Sequence, residues 1–129
     1  MFLSPDIAKL LLRLSVGIMM LFHGFHKIIH GIDGIKALVR NSGMPEFFAY
    51  GVYVGEVIVP IFIVLGLYAR VASLVLAFNM FVAIALMYSD SLFKLGKFGS
   101  PVIELPFFYF ILSVVIFFLG SGKFAINNK

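Results

Sequence analysis

FFAYGVYVGEVIVPIFIVLGLYARVASLVLAFNMFVAIALMY, residues 47–88, decides the fold. It carries two charged side chains, Glu56 and Arg70. A helix must supply about 20 largely apolar residues to cross the hydrocarbon layer of a bilayer. This stretch can do so twice, once from Phe47 to Leu67 and again from Arg70 to Tyr88, with only Tyr68-Ala69 between. A connection that short folds two helices into a tight antiparallel hairpin. Neither run alternates polar with apolar residues, and both are too long for barrel strands.

Two further apolar runs flank this hairpin, Ile7 to Ile29 and Val102 to Leu119. Ser4-Pro5-Asp6 is a helix start, with proline in the first turn. Asp6 and Pro5 precede the first basic residue, Lys9, and no small-x-small site follows, so the first run reads as a retained span. GIDGIKALVRNSGMPE, residues 31–46, joins spans one and two. Its Ile32, Ile35, Leu38 and Val39 suit a short amphipathic helix on the bilayer surface. SDSLFKLGKFGSP, residues 89–101, joins spans three and four and ends in a breaker. The expectation is an all-α single domain over 1–129. It is a four-transmembrane-helix bundle, with an interfacial helix between the first two spans and both termini on one face.

Composition agrees. Of 129 residues, 62% are hydrophobic and 12% charged, and mean hydropathy is +1.11; soluble domains carry about 25% charge. No cysteine is present, which excludes disulfides, thiolate metal sites and thiol nucleophiles. The net charge of +4 forms no basic stripe, so lipid headgroups are better partners than nucleic acid. The terminal face carries Lys9, Arg13, Arg70, Lys123 and Lys129, the opposite face Lys27, Lys36, Arg40, Lys94 and Lys97. Basic residues therefore balance and do not orient the chain. Asp33, Glu46, Asp90 and Glu104 dilute the second set. Arg13 and Arg70 lie close enough to the terminal face to reach headgroups or helix-end carbonyls.

Glu56 falls near the bilayer midplane, where an acid costs on the order of 3 kcal/mol. It must face the interior. Pro60, four residues on, deprives the Glu56 carbonyl of its helical donor. Gly51 and Gly55 form GxxxG, a helix-packing pattern. LFHGFHKIIHG, residues 21–31, ends the first span with His23, His26, Lys27 and His30. His23 and Lys27 share a face at i, i+4, with His23 close in depth to Glu56 and Lys27 higher. Three readings stand open. One is a buried ion-pair network of Lys27 or His23 with Glu56, joined by Glu104. Another is a metal site of His26 and His30, for which i, i+4 spacing alone is thin support. The last is snorkelling. Asn79, mid-span, adds an amide at the same depth, so His23, Glu56 and Asn79 converge from three helices as a polar pocket or as structural glue.

These motifs resemble the DoxX family of small four-helix membrane proteins. The resemblance rests on Arg13, Gly17, His23, Gly24 and Lys27 in the first span and on the intramembrane acid Glu56. Gly66, Arg70, Asn79 and Met80 match around the third span, and Gly120, Gly122, Lys123 and Phe124 after the fourth. Ala125 and Asn127 depart from the family's usual serine and aspartate. The resemblance implies a bacterial inner-membrane protein with cytoplasmic termini. Some members serve thiosulfate:quinone oxidoreductases, and others accompany oxidative-stress enzymes.

The leading expectation is an auxiliary subunit of a redox or oxidative-stress complex. Its buried cluster of His23, Lys27, Glu56, Asn79 and Glu104 would bind a small ligand or relay protons. The rivals are a membrane subunit of a quinone-linked oxidoreductase and a small transporter or assembly factor. No cofactor motif is evident, though a quinone ring would stack among the sixteen phenylalanines. An oxidoreductase partner and a homo-oligomer are both compatible.

Overall fold

The computed structural model describes residues 4–88, 91–127 and 129, so Asp90 lies outside the described residues. These residues form five helices and no strand: α1 (Pro5–His30), α2 (Asp33–Asn41), α3 (Glu46–Leu65), α4 (Ala69–Met87) and α5 (Glu104–Leu119). Three of them, α1, α3 and α4, are long and apolar enough to cross a membrane, while α5 has 16 residues. Ser4 caps α1 by accepting the Ile7 N–H at 3.3 Å, with Pro5 in the first turn.

The bundle closes as α1 on α3, α3 on α4 and α4 on α5, with α5 returning to α1. Val16, Met20, Ile63, Leu76, Met80 and Ile116 fill its centre. Small residues let α4 and α5 approach closely: Ala69, Ser73 and Ser113 are wholly buried. Both hydroxyls are satisfied by their own helices, Ser73 donating to the Arg70 carbonyl at 2.9 Å and Ser113 to that of Tyr109 at 2.6 Å. Small interfacial residues are how helices pack where lipid removes the hydrophobic drive between them. Large side chains point outward instead, among them Phe22, Phe25, Phe78, Phe81 and Phe118.

The expected helix between spans one and two forms as α2, but its apolar side is not left free. Ile32 and Val39 pack with Ala49 as a second small core, against Ile35, Val52, Tyr53 and Leu86. The helix thus covers one end of the bundle. Lys36 of α2 lies 4.9 Å over the Tyr50 ring, and the neighbouring phenol holds its amine above the usual lysine pKa.

The α3–α4 turn ends α3 at Gly66, whose φ of 69° is left-handed. Its N–H reaches Ile63 O at 3.2 Å and the Leu67 N–H reaches Phe62 O at 2.9 Å. This crossed pair is a Schellman stop, which favours glycine at that position. The C-terminal tail then folds across this turn. Ile126 N–H donates to Leu65 O at 3.2 Å, Asn127 N–H to Gly66 O at 3.1 Å, and Lys123 N–H to the Asp6 carboxylate at 3.1 Å. The segments nearest both termini therefore meet at one end of the bundle. Asn127 Oδ1 accepts the Tyr68 N–H at 3.0 Å. That role requires an acceptor oxygen and not a charge, so asparagine fills it where the family resemblance leads one to expect aspartate. Gly120 packs on the Arg70 guanidinium and Gly122 on the Lys9 stem.

Candidate functional site: a buried ion pair beside a cavity

Glu56 occupies a π-helical turn, Val54–Ile58, in which the Val59 N–H reaches back five residues to Val54 O. Pro60 explains why the turn loosens here, because it cannot donate to the Glu56 carbonyl. Such turns recur at functional sites. The Glu56 side chain is 5% exposed. Both its oxygens accept from Lys27 Nζ, at 2.7 Å for Oε1 and 2.5 Å for Oε2. Lys27 is 26% exposed along its side chain, so it is the more accessible partner of the pair. Tyr53 adds a long hydrogen bond, 3.4 Å, from its hydroxyl to Lys27 O.

GxxxG predicts a packing face at Gly51 and Gly55. Gly55 does make a close approach, with the Asn79 amide 2.5 Å from where its Cβ would stand, but Gly51 faces open space. The change of winding at Val54 explains the difference, since four-residue spacing holds one face only at 3.6 residues per turn. The tighter crossing is elsewhere. A methyl group added at Gly24 would fall on the backbone carbonyl of Glu56, and it is this contact that brings Lys27, one turn on, within reach of the carboxylate. Because the obstacle is backbone, Gly24→Ala is expected to force α1 off α3. A cost of about 1–3 kcal/mol for overpacking should outweigh alanine's helix-propensity gain of about 1 kcal/mol. Thermal unfolding in detergent, followed by circular dichroism, checks this; an unchanged midpoint contradicts the close crossing.

The ion pair lines a cavity of about 190 Å³ between α1, α3, α4 and α5. Its walls include Met20, His23, Met80, Ala83, Met87 and Tyr109. The His23 ring stands edge-on to Tyr109, centroids 5.7 Å apart at 89°. Met87 and Leu105, at the rim, are exposed. A second groove, about 310 Å³ on the outer side of α1, is lined by Ile18, Leu21, Phe22, Phe25, Ile28 and Val57. It holds no titratable group, so the chemistry belongs to the first cavity.

Three expected members of the cluster thus meet: His23, Lys27 and Glu56. Two do not. Asn79 turns to Gly55, because its neighbour Met80 faces the cavity and successive helical residues point about 100° apart. Glu104 stands exposed in the first turn of α5, where water and the helix N-terminus stabilise a carboxylate, and Glu56 takes the ammonium in its place. His26 and His30 are exposed with ring centroids 4.3 Å apart. Among the described residues no group of three His, Cys, Asp or Glu gathers as a metal site. Tyr109 is the residue that sequence reasoning missed. An aromatic residue in an aromatic-rich span gives no signal; only a count of helical faces from Ser113 would have singled it out.

The DoxX family model matches residues 8–89 of the chain, a stretch that holds His23, Lys27, Glu56 and Asn79. A Bacillus subtilis (strain 168) protein named "Putative oxidoreductase CatD" is 32% identical over 81 residues, which cover 63% of this chain and 60% of that relative. The chain therefore spans well under two thirds of the relative's length. No solved structure matches.

Proposed function

Because the chain belongs to the DoxX family of membrane proteins, we propose that it is an auxiliary membrane subunit of a redox or oxidative-stress complex, holding a small lipophilic ligand in the Lys27–Glu56 cavity. In this reading all of α1, α3, α4 and α5 cross a bacterial inner membrane, α2 lies at one interface, and both termini are cytoplasmic. The partner is a soluble or membrane oxidoreductase, and the subunit can assemble with copies of itself.

One observation carries the reading: a donor-rich polar corner opens into an otherwise apolar cavity. Glu56 is already engaged by Lys27. The groups left to meet a ligand are the remaining ammonium hydrogens, the Tyr109 hydroxyl and the His23 ring. Donors suit a ligand with carbonyl or oxyanion oxygens, and the thioethers of Met20 and Met80 suit contact with an aromatic ring. A quinone headgroup has both features, with its tail leaving past Met87 and Leu105 into lipid. The relative's printed name, an oxidoreductase, supports a redox setting. It also favours the second reading, a quinone-linked oxidoreductase subunit, over a transporter.

The test is purification in mild detergent with mass spectrometry of co-purifying proteins and lipids, on the unaltered chain and on Lys27→Met. A quinone retained by the first and lost from the second is expected, together with a recurrent oxidoreductase. If neither quinone nor added short-chain quinone binds, the cavity reading fails. If quinone binds and is reduced without a partner, the subunit is itself catalytic.

A further inference from the structure

Among the described residues, Phe93 and Phe98 are the most exposed of the large apolar side chains, at 96% and 91%. Neither belongs to a helix. Both sit between α4 and α5, where residues 91–103 form a hairpin. Leu95 faces Pro101 in an antiparallel bridge, the Gly96 N–H donates to Ser100 O at 2.5 Å, and the Val102 N–H donates to Lys94 O at 3.0 Å. Leu95 is also exposed. From Ser91 to Ile103 the segment carries Lys94 and Lys97 and no acid. The chain thus uses backbone pairing to hold two phenyl rings, one leucine and two ammonium groups outward.

Leaving that much apolar surface in water is unfavourable, at about 25 cal/mol for each Å². Helix length says where the surface goes. With 16 residues, α5 is about 24 Å long at 1.5 Å per residue, and the hydrocarbon layer is about 30 Å thick. The end of α5 that carries the hairpin, or its other end, falls short of a full crossing. The hairpin precedes α5 directly, so apolar side chains there complete the span. Lysine stems beside them place ammonium groups at phosphate level.

We propose that the 91–103 hairpin is a membrane anchor selective for anionic phospholipid. Phe93, Leu95 and Phe98 insert at the boundary of headgroups and acyl chains, and Lys94 and Lys97 bind headgroup phosphates. The cavity beside Glu56 plays no part in this assignment.

The chain has no tryptophan, so Phe93→Trp and Phe98→Trp each introduce a single reporter at a position where the side chain packs against little. The full chain is reconstituted in phosphatidylcholine vesicles with and without phosphatidylglycerol, with bromine on the acyl chains of one lipid or the other. Both reporters are expected to emit at short wavelength, to be quenched by brominated lipid and to be shielded from acrylamide. Brominated phosphatidylglycerol should quench more than brominated phosphatidylcholine at equal content. Lys94→Gln and Lys97→Gln should each lower that preference by about fivefold. Reporters quenched by acrylamide and untouched by brominated lipid would overturn the anchor and leave the hairpin a surface for a water-soluble partner. Equal quenching by the two lipids would overturn the selectivity for anionic headgroups.

Discussion

Lys27→Met is expected to destabilise the folded bundle more than Glu56→Gln, and the double variant is expected to recover part of the loss. The asymmetry follows from burial. Glu56 is 4% exposed, and its two oxygens have Lys27 Nζ as their side-chain partner. With methionine at 27, the buried carboxyl loses its charged partner. Breaking a buried pair from one side in this way costs about 3–5 kcal/mol. The reverse deletion is milder. Glu56→Gln leaves an ammonium on a flexible four-carbon stem that already reaches the outside, so the loss is roughly 1–3 kcal/mol, the cost of an unmet polar group. In Lys27→Met/Glu56→Gln no charge remains to be buried, and the amide needs only a neutral partner. Unfolding of the detergent-solubilised protein on titration with a denaturing detergent measures all four corners of the cycle. Strictly additive losses, or a Lys27 variant as stable as the Glu56 variant, would mean that the pair is incidental to the fold.

An ion pair between the end of α1 and Glu56 was one of three open readings, and two counts pointed to it: depth along each span, and helical face around it. Lys27 and Glu56 lie on different helices of opposite direction, and only one registration brings the two side chains within reach of each other. The four apolar runs were legible for a still simpler reason, since lipid rewards hydropathy over whole turns and tolerates errors of a residue or two at each end. What depends on local winding was not legible. The π-helical turn at Val54–Ile58 separates Gly51 from Gly55 and gives Asn79 a glycine to pack on instead of a cavity to line. Pro60 announced that a carbonyl would be released, but not that the chain would widen upstream to absorb it. Glu104 does lie at the loop end of its helix, but as the first residue of α5 it stays exposed instead of joining the pair.

The second large effect concerns a residue whose partner could not be read from its own helix. Arg13 was expected to reach headgroups or helix-end carbonyls. It is 1% exposed, and carbonyls hold it: Nη1 donates to Ile63 O at 3.2 Å and to Val64 O at 3.1 Å, and Nη2 donates to Phe124 O. The first two belong to the last turn of α3, where carbonyls lack helical donors and the helix dipole favours a cation. The third belongs to the tail, 111 residues away in sequence, and nothing local to LLRLSVG reveals it. Arg13 therefore ties the end of α3 to the C-terminal tail.

Arg13→Met is expected to cost about 2–5 kcal/mol, because two of its three carbonyl partners, Val64 O and Phe124 O, are left without that donor at about 1–3 kcal/mol each. Ile63 O keeps the Gly66 N–H, so it is the least affected. Removing the arginine's own burial cost offsets part of the loss; its Nε already lacks a partner among the described residues. Arg13→Lys should recover little, since one ammonium cannot reproduce a planar fork that reaches two chain segments at once. The damage should also be local before it is global. The tail keeps the Ile126, Asn127 and Lys123 hydrogen bonds but loses its charged tether, so its opening free energy should fall first. Hydrogen exchange at the Ile126 and Asn127 amides reads that opening directly. Faster exchange there, with the α4 and α5 amides still protected, is the expected pattern for both variants. Protection unchanged in Arg13→Met would show that the tail is held by its own backbone pairing, and that the buried guanidinium serves only α3.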